Sequence, residues 1–139
     1  MEKVKVAING YGVIGKRVAD AVILQEDMDL VGICDIITDW RIKVAIDKNY
    51  RIFSFNDDYK KQMENAGIPI DGNLSNLIEA ADIIVDCTPK NIAAKNIGKY
   101  RDANLKFIVQ GGESHELTGH SFSAENNYKS ALGRECTRV

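Results

Sequence analysis

The segment Val4-Lys5-Val6-Ala7-Ile8-Asn9-Gly10-Tyr11-Gly12-Val13-Ile14-Gly15-Lys16-Arg17 constrains this chain more than any other. A nearly continuous apolar run, the pattern of a strand covered on both faces, passes straight into Gly-x-Gly-x-x-Gly and then into helical spacing. In that setting each glycine has a physical task. Gly10 permits a tight turn out of the strand, Gly12 lets backbone approach a pyrophosphate, and Gly15 lets a helix pack closely on the strand. A helix opening at Val13 aims its unpaired N–H groups and positive dipole end at the phosphates. Asp35 follows twenty residues past Gly15, at the end of the next strand pattern, where a ribose needs an acceptor. A glycine turn that serves only the backbone is the bland alternative; the flanking strand and helix and the placement of Asp35 weigh against it.

Strand and helix patterns then alternate. The first strand is Val4–Asn9, followed by a helix over Val13–Gln25 with Ile14, Val18, Ala21 and Val22 as its apolar face. A second strand covers Leu30–Ile37. Thr38 is the expected cap of a helix over Asp39–Lys48, with a loop as the alternative there. Arg51–Phe55 alternates like a short strand, and Asn56 caps a helix over Asp57–Ala66 that Gly67 ends. Ile68-Pro69-Ile70 reads as a connector, Leu74–Ala81 as a helix and Asp82–Cys87 as a buried strand closed by Thr88-Pro89. A helix over Ile92–Arg101, a strand at Phe107–Val109, a helical piece at Glu125–Leu132 and a strand opening at Cys136–Val139 complete the run. The expected architecture is a single domain over residues 1–139, α/β in class. It is a doubly wound, mostly parallel sheet of the Rossmann type with helices on both faces.

Such sheets bind ligands outside the carboxyl ends of their strands, where strand order reverses. The residues at those ends are the glycine loop, Asp35, Cys87-Thr88-Pro89 and Gly111-Gly112. For Thr88 and Gly111 a plain strand-to-helix turn is an equal alternative. Tyr11 either packs on a ribose or shields the turn, and Trp40 is either a partner contact or core of its short helix.

Charge and cysteine usage narrow the class. With 18 basic and 20 acidic residues the net charge is −2, which offers no bulk attraction for nucleic acid. No apolar run reaches the length of a membrane span, and Met1–Lys5 lead directly into a strand, so no secretory leader is expected. Cys34, Cys87 and Cys136 lack metal-like spacing and cannot close a disulfide set, which favours a reducing cytoplasm; no metal site is expected. Cys34 and Cys87 are expected as buried small hydrophobes. Cys87 nevertheless lies at a strand end, and His115 and His120 follow Gly112, so a Cys87–His115 pair is a minor alternative to loop or surface histidines.

The residues Ala7–Ala21, Gly67-Ile68-Pro69, Asp82–Pro89, Gln110-Gly111-Gly112-Glu113 and Ser121-Phe122-Ser123-Ala124 resemble the cofactor-binding half of archaeal-type glyceraldehyde-3-phosphate dehydrogenase. The resemblance covers essentially the whole chain, its first segment being the most specific. It implies that Val13 and Ile14 contact the pyrophosphate region and that Gly111 and Gly112 line the nicotinamide side. It also implies an oxidoreductase of glycolysis or gluconeogenesis that uses NAD or NADP. In its reaction a cysteine thiolate attacks an aldehyde, hydride passes to nicotinamide, and phosphate releases the thioester. The family's cysteine segment, its acid–base histidine and its phosphate-binding arginine are expected after Val139, so no catalytic residue is assigned here and the chain alone is expected not to turn over substrate. A homo-oligomer or a complementary catalytic domain is the expected partner, covering apolar surface.

One departure from the family concerns the cofactor. Its pattern at the end of the second strand often has a lysine and a hydroxyl residue, suited to a 2′-phosphate; here Asp35-Ile36 stand there. A carboxylate accepts from ribose hydroxyls and repels a 2′-phosphate, so NAD is expected to be preferred over NADP, unless Asp35 is simply an exposed strand-end acid. Two other functions stay open: a stand-alone module that senses the dinucleotide, and the first domain of another two-domain dehydrogenase, acting on homoserine or dihydrodipicolinate. The Gln110–Glu113 and Ser121–Ser123 segments favour the first family over the last.

Overall fold

The computed structural model describes residues 1–110 and 112–139. In chain order the elements are β1 (Val4–Asn9), α1 (Val13–Ile23), β2 (Met28–Asp35), α2 (Trp40–Asp47), β3 (Ile52–Ser54), α3 (Asp57–Asn65) and β4 (Gly72–Asn73). Then follow α4 (Leu74–Ala80), β5 (Ile83–Asp86), α5 (Ala93–Asp102), β6 (Lys106–Val109), a 3₁₀ turn (His115–Leu117), α6 (Ala124–Ala131) and β7 (Cys136–Arg138). The sheet runs β4-β3-β2-β1-β5-β6-β7, with every pairing parallel. Strand order therefore reverses between β1 and β5. That is where a crevice opens at the carboxyl edge.

Alternation along β1 builds two core layers. Val6 and Ile8 pack on one face with Ala19 and Val22 of α1, Ile42 and Ala45 of α2, and Met63 of α3. Ala7 faces the other side, with Leu74, Leu77 and Ile78 of α4, Ala93 and Tyr100 of α5, and Phe107. Helices thus cover both faces, as an all-parallel sheet requires. Among the described residues, no helix is long and apolar enough to cross a membrane.

Element ends fall within two residues of those expected, and the differences have local causes. The strand pattern read as Leu30–Ile37 is β2 at Met28–Asp35. The Asp35 carboxylate stops it by accepting from the backbone N–H groups of Ile36 (2.6 Å) and Ile37 (3.2 Å). Asp39 rather than Thr38 caps α2, its Oδ1 accepting from Arg41 N at 3.0 Å. The buried face of α1 is Gly15, Ala19 and Val22, while Ile14 and Ala21 are exposed. The periodicity was right and the phase was not, because contact between Gly15 and the strand end sets the helix rotation. The two-residue strand β4 carries no periodic signal. Asn127 breaks helical geometry within α6 (φ −141°, ψ 33°), its side chain bonding Ser121 O and Ser123 N instead.

Candidate cofactor-binding site

The glycine loop is a closely packed turn. Gly10 adopts φ 94°, and a Cβ there would stand 2.8 Å from the carbonyl carbon of Cys87, so the turns that follow β1 and β5 pack together only with a glycine at this position. Gly15 lies against Gly10, where a Cβ would fall 1.8 Å from its carbonyl oxygen. Gly12 differs from both. A Cβ on it meets nothing within 4 Å, so the space above it is open. It caps α1, which has no side-chain cap and no acidic residue in its first turn. The first intrahelical bond runs from Lys16 N to Gly12 O at 3.0 Å, leaving the N–H groups before it free for an anion.

Beside this loop a cavity of about 390 Å³ opens at the carboxyl edge. β1 contributes Asn9 and Gly10; the end of β2 contributes Cys34, Asp35 and Ile36. Phe55 and Tyr59 close one side, and Thr88, Pro89, Ile92, Lys95 and Asn96 the other. The carboxylate of Asp35 also accepts from Tyr11 N at 2.6 Å, which ties the glycine loop to β2. Each carboxylate oxygen has further lone pairs, and the side chain lines the cavity, so ribose hydroxyls have an acceptor there.

A buried polar network forms the floor. Asp86 is fully buried and its two oxygens receive four donors. Thr88 N (3.0 Å) and Thr88 Oγ1 (2.5 Å) reach Oδ1, while Asn96 Nδ2 (3.1 Å) and the Tyr100 hydroxyl (2.7 Å) reach Oδ2. Asn9 Nδ2 donates to the same tyrosine oxygen at 2.8 Å. Burial, and next the charge of Asp86, push the Tyr100 phenol above its ordinary range. Because Thr88 gives its proton to Asp86, it offers a ligand only lone pairs.

The open space over Gly12, the free N–H groups of α1, the acceptor at Asp35 and the cleft beside them fit a dinucleotide. The site residues expected from the sequence, Gly10, Gly12, Val13, Ile14, Asp35 and Thr88, gather at this edge. Val13 and Ile14 present exposed side chains, and their backbone N–H groups precede the first intrahelical bond of α1. Gly112 (φ 79°) lies past the end of β6, and Gly111 lies outside the described residues. Tyr11 is buried in the layer it shares with α1 and α2, its hydroxyl without a hydrogen-bond partner among the described residues. Trp40 is exposed and not core. With Lys16, Arg17 and Arg41 it borders a second hollow of about 240 Å³.

Several lining groups escaped the sequence reading. Ile36 adjoins Asp35, and an aspartate near the end of an apolar strand is the one signal for Asp86, which lies beneath the cleft. Phe55, Tyr59, Lys95 and Asn96 sit on elements whose position only the sheet order reveals.

Neither Cys34 nor Cys87 is an activated thiol. Burial, and then Asp86, push Cys87 up to about 12, and burial raises Cys34 above its ordinary range. His115 Nδ1 is instead 2.9 Å from Ser121 Oγ. His120 lies in a loop, as expected, but is buried rather than at the surface, between Thr137 Oγ1 (2.7 Å) and Ser130 Oγ (2.8 Å). Alkylation of Cys87 by iodoacetamide, followed on its own peptide by mass spectrometry, is expected to accelerate about tenfold per pH unit from pH 8 to 11. A plateau near pH 8 would mean an activated thiolate. Among the described residues, no group of three His, Cys, Asp or Glu side chains could hold a metal ion.

Comparison with known proteins agrees with this geometry. The family model described as "Dihydrodipicolinate reductase, N-terminus" matches residues 4–118. A glyceraldehyde-3-phosphate dehydrogenase of Methanococcoides burtonii is 50% identical over 139 residues, all of this chain and 41% of that protein. The enzyme of the same name from Methanothermobacter thermautotrophicus is 46% identical over 136 residues, 98% of this chain and 40% of the relative. The chain thus spans about two fifths of the length of the relatives it matches. Among solved structures, apo scyllo-inositol dehydrogenase from Lactobacillus casei superposes with a TM-score of 0.57 at 14% identity, over 99% of this chain and 36% of that one. At that identity the likeness concerns the fold alone. Glycine loop, switch-point crevice and family match converge: the chain belongs to the family of dihydrodipicolinate reductase N-terminal domains, as a Rossmann-type domain for a nicotinamide dinucleotide, and is similar throughout its length to archaeal glyceraldehyde-3-phosphate dehydrogenases.

Proposed function

We propose that this chain is the cofactor-binding part of a phosphorylating glyceraldehyde-3-phosphate dehydrogenase, and that it takes NAD in preference to NADP. The observation that carries the cofactor choice is Asp35. Its carboxylate sits on the cavity wall, fixed by three backbone N–H groups, where a ribose would lie. Adding a 2′-phosphate there sets like charges together. Arg41, one cation near this carboxylate, is held by Asp39 through Nη2 at 2.6 Å, and Lys95 lines the opposite wall of the cavity.

The choice of dehydrogenase is supported by 50% identity along the whole chain. The family model's name favours a second reading, a reductase acting on dihydrodipicolinate, but that match ends at residue 118. The similarity to the methanogen enzymes continues through α6 and β7. In the proposed enzyme the bound nicotinamide would accept hydride. The residues of this chain bind and orient the cofactor: Gly12 and the start of α1 hold its pyrophosphate, Asp35 its ribose, and the 88–92 turn its adenosine end. Gly111 and Gly112 are assigned to the nicotinamide side. The nucleophile and acid–base groups are assigned to the remaining length that the relatives possess. A homo-oligomer or such a complementary domain, in the cytoplasm, would cover the exposed Tyr128, Leu132 and Val139 side chains.

Calorimetric titration of the chain with each cofactor tests this. NAD is expected to bind about 100-fold more tightly than NADP, the scale of a like-charge clash of several kcal/mol reduced by solvent. Asp35→Lys is expected to reverse the order. Equal dissociation constants in the unaltered chain would overturn the assignment of Asp35.

A further inference from the structure

The cleft wall formed by the turn after β5 is held from outside by a side chain to which the cofactor reading gives no part. Asn91 adopts the left-handed conformation (φ 71°), which asparagine tolerates better than other side-chain-bearing residues. Its N–H donates to Glu113 Oε1 at 2.5 Å. Glu113 is only 5% exposed and comes from the loop after β6, the next strand over. The Glu113 carbonyl in turn accepts from the Arg138 guanidinium at the end of β7, whose Nε donates to Ser121 Oγ at 2.7 Å. The turn after β5 is therefore tied across β6 to the sheet edge. Its first residue, Thr88, has its own anchor on Asp86. Pro89 stands between the two anchors and Ile92 directly after the second; both line the cavity opposite Asp35, across the end of β1.

We propose that Glu113 is a positioning residue for the cofactor cleft: by holding Asn91 in its left-handed turn, its carboxylate sets Pro89 and Ile92 as the adenosine-side wall. The inference rests on the reading of the cleft as a dinucleotide site. Removing the carboxylate leaves the wall sampling other turns, and a wall competent for about a tenth of the time raises the apparent dissociation constant about tenfold. The loss belongs to the adenosine end, so AMP should lose as much affinity as NAD.

The test compares the unaltered chain with Glu113→Ala and Glu113→Gln, by calorimetry with NAD and AMP and by hydrogen exchange at the Asn91 amide. Glu113→Ala is expected to weaken both ligands about tenfold and speed exchange at Asn91, while Glu113→Gln, which keeps an acceptor oxygen, restores both. Unchanged affinity in Glu113→Ala, or failure of Glu113→Gln to restore it, would overturn the proposal. If the unaltered chain binds neither ligand, the dinucleotide reading fails instead. Exchange at Asn91 then decides the clamp alone: unchanged in Glu113→Ala, it disproves the tie.

Discussion

Gly15→Ala is expected to cost about 3 kcal/mol or more of stability, the upper range for overpacking, and to abolish measurable dinucleotide binding. The added methyl would lie 1.8 Å from the Gly10 carbonyl oxygen and 2.9 Å from its carbon. Both are backbone atoms of a turn that is itself pressed against the backbone of Cys87 and Thr88, so nothing nearby can rotate away. Relief requires α1 to lift from β1, which separates Ala19 and Val22 from the core layer they share with Val6 and Ile8. A fall in melting temperature of about 10 °C follows for a domain of this size. Gly12→Ala supplies the contrast. Its backbone is extended (φ −83°) and its Cβ meets open space, so stability should stay within about 0.5 kcal/mol while affinity for the cofactor falls. Scanning calorimetry and NAD titration on the two variants separate the roles. Equal melting temperatures for Gly15→Ala and the unaltered chain would refute the packing argument, and unaltered affinity in Gly12→Ala would refute the pyrophosphate cradle.

Asp86→Asn should be nearly as damaging despite the small change in shape. Four donors converge on the carboxylate, two on each oxygen. An amide turns an N–H₂ group toward one of these pairs, whichever way it is placed. Facing Thr88, it opposes a backbone N–H that cannot turn; facing Asn96 and Tyr100, it opposes the Asn96 amide. A fully buried donor then lacks a partner, at a cost of about 2–3 kcal/mol. The Thr88 and Asn96 side chains also line the cleft, so the affinity for NAD should fall with stability. Tyr100→Phe removes one donor to Asp86 and the acceptor of Asn9 Nδ2, and should cost about 1–2 kcal/mol. Urea denaturation of the pair orders these costs. Asp86→Asn with unaltered midpoint and slope would show that the network tolerates an amide.

The two predictions differ in how far the sequence announces them. The glycines and Asp35 are legible because their tasks are local: a turn, a helix start, a strand end. The positive φ of Gly10 and the contact of Gly15 with the Gly10 carbonyl arise within a few residues, although Gly10 also meets the distant backbone of Cys87. Asp86 reads in the sequence as a residue near the end of an apolar strand, and its importance comes from Thr88, Asn96 and Tyr100, the last fourteen residues away. Glu113 is similar. It falls in a segment quoted for its resemblance to a family, yet the bond to Asn91, twenty-two residues distant, has no sequence signal. The helix α1 shows the same limit at short range. Its 3.6-residue period was visible, but its phase was set by a carbonyl on the strand before it.

Hydrophobic period and turn chemistry were enough to establish a parallel α/β sheet with a glycine loop at its first strand, since these depend on interactions between near neighbours in the chain. Strand order, the closing of a cavity by Phe55 and Ile92, the burial of Tyr11 and His120, and the tie between Asn91 and Glu113 were decided only in the folded molecule. They arise from side chains brought together by the packing of whole elements, and one-dimensional spacing carries no record of which elements become neighbours.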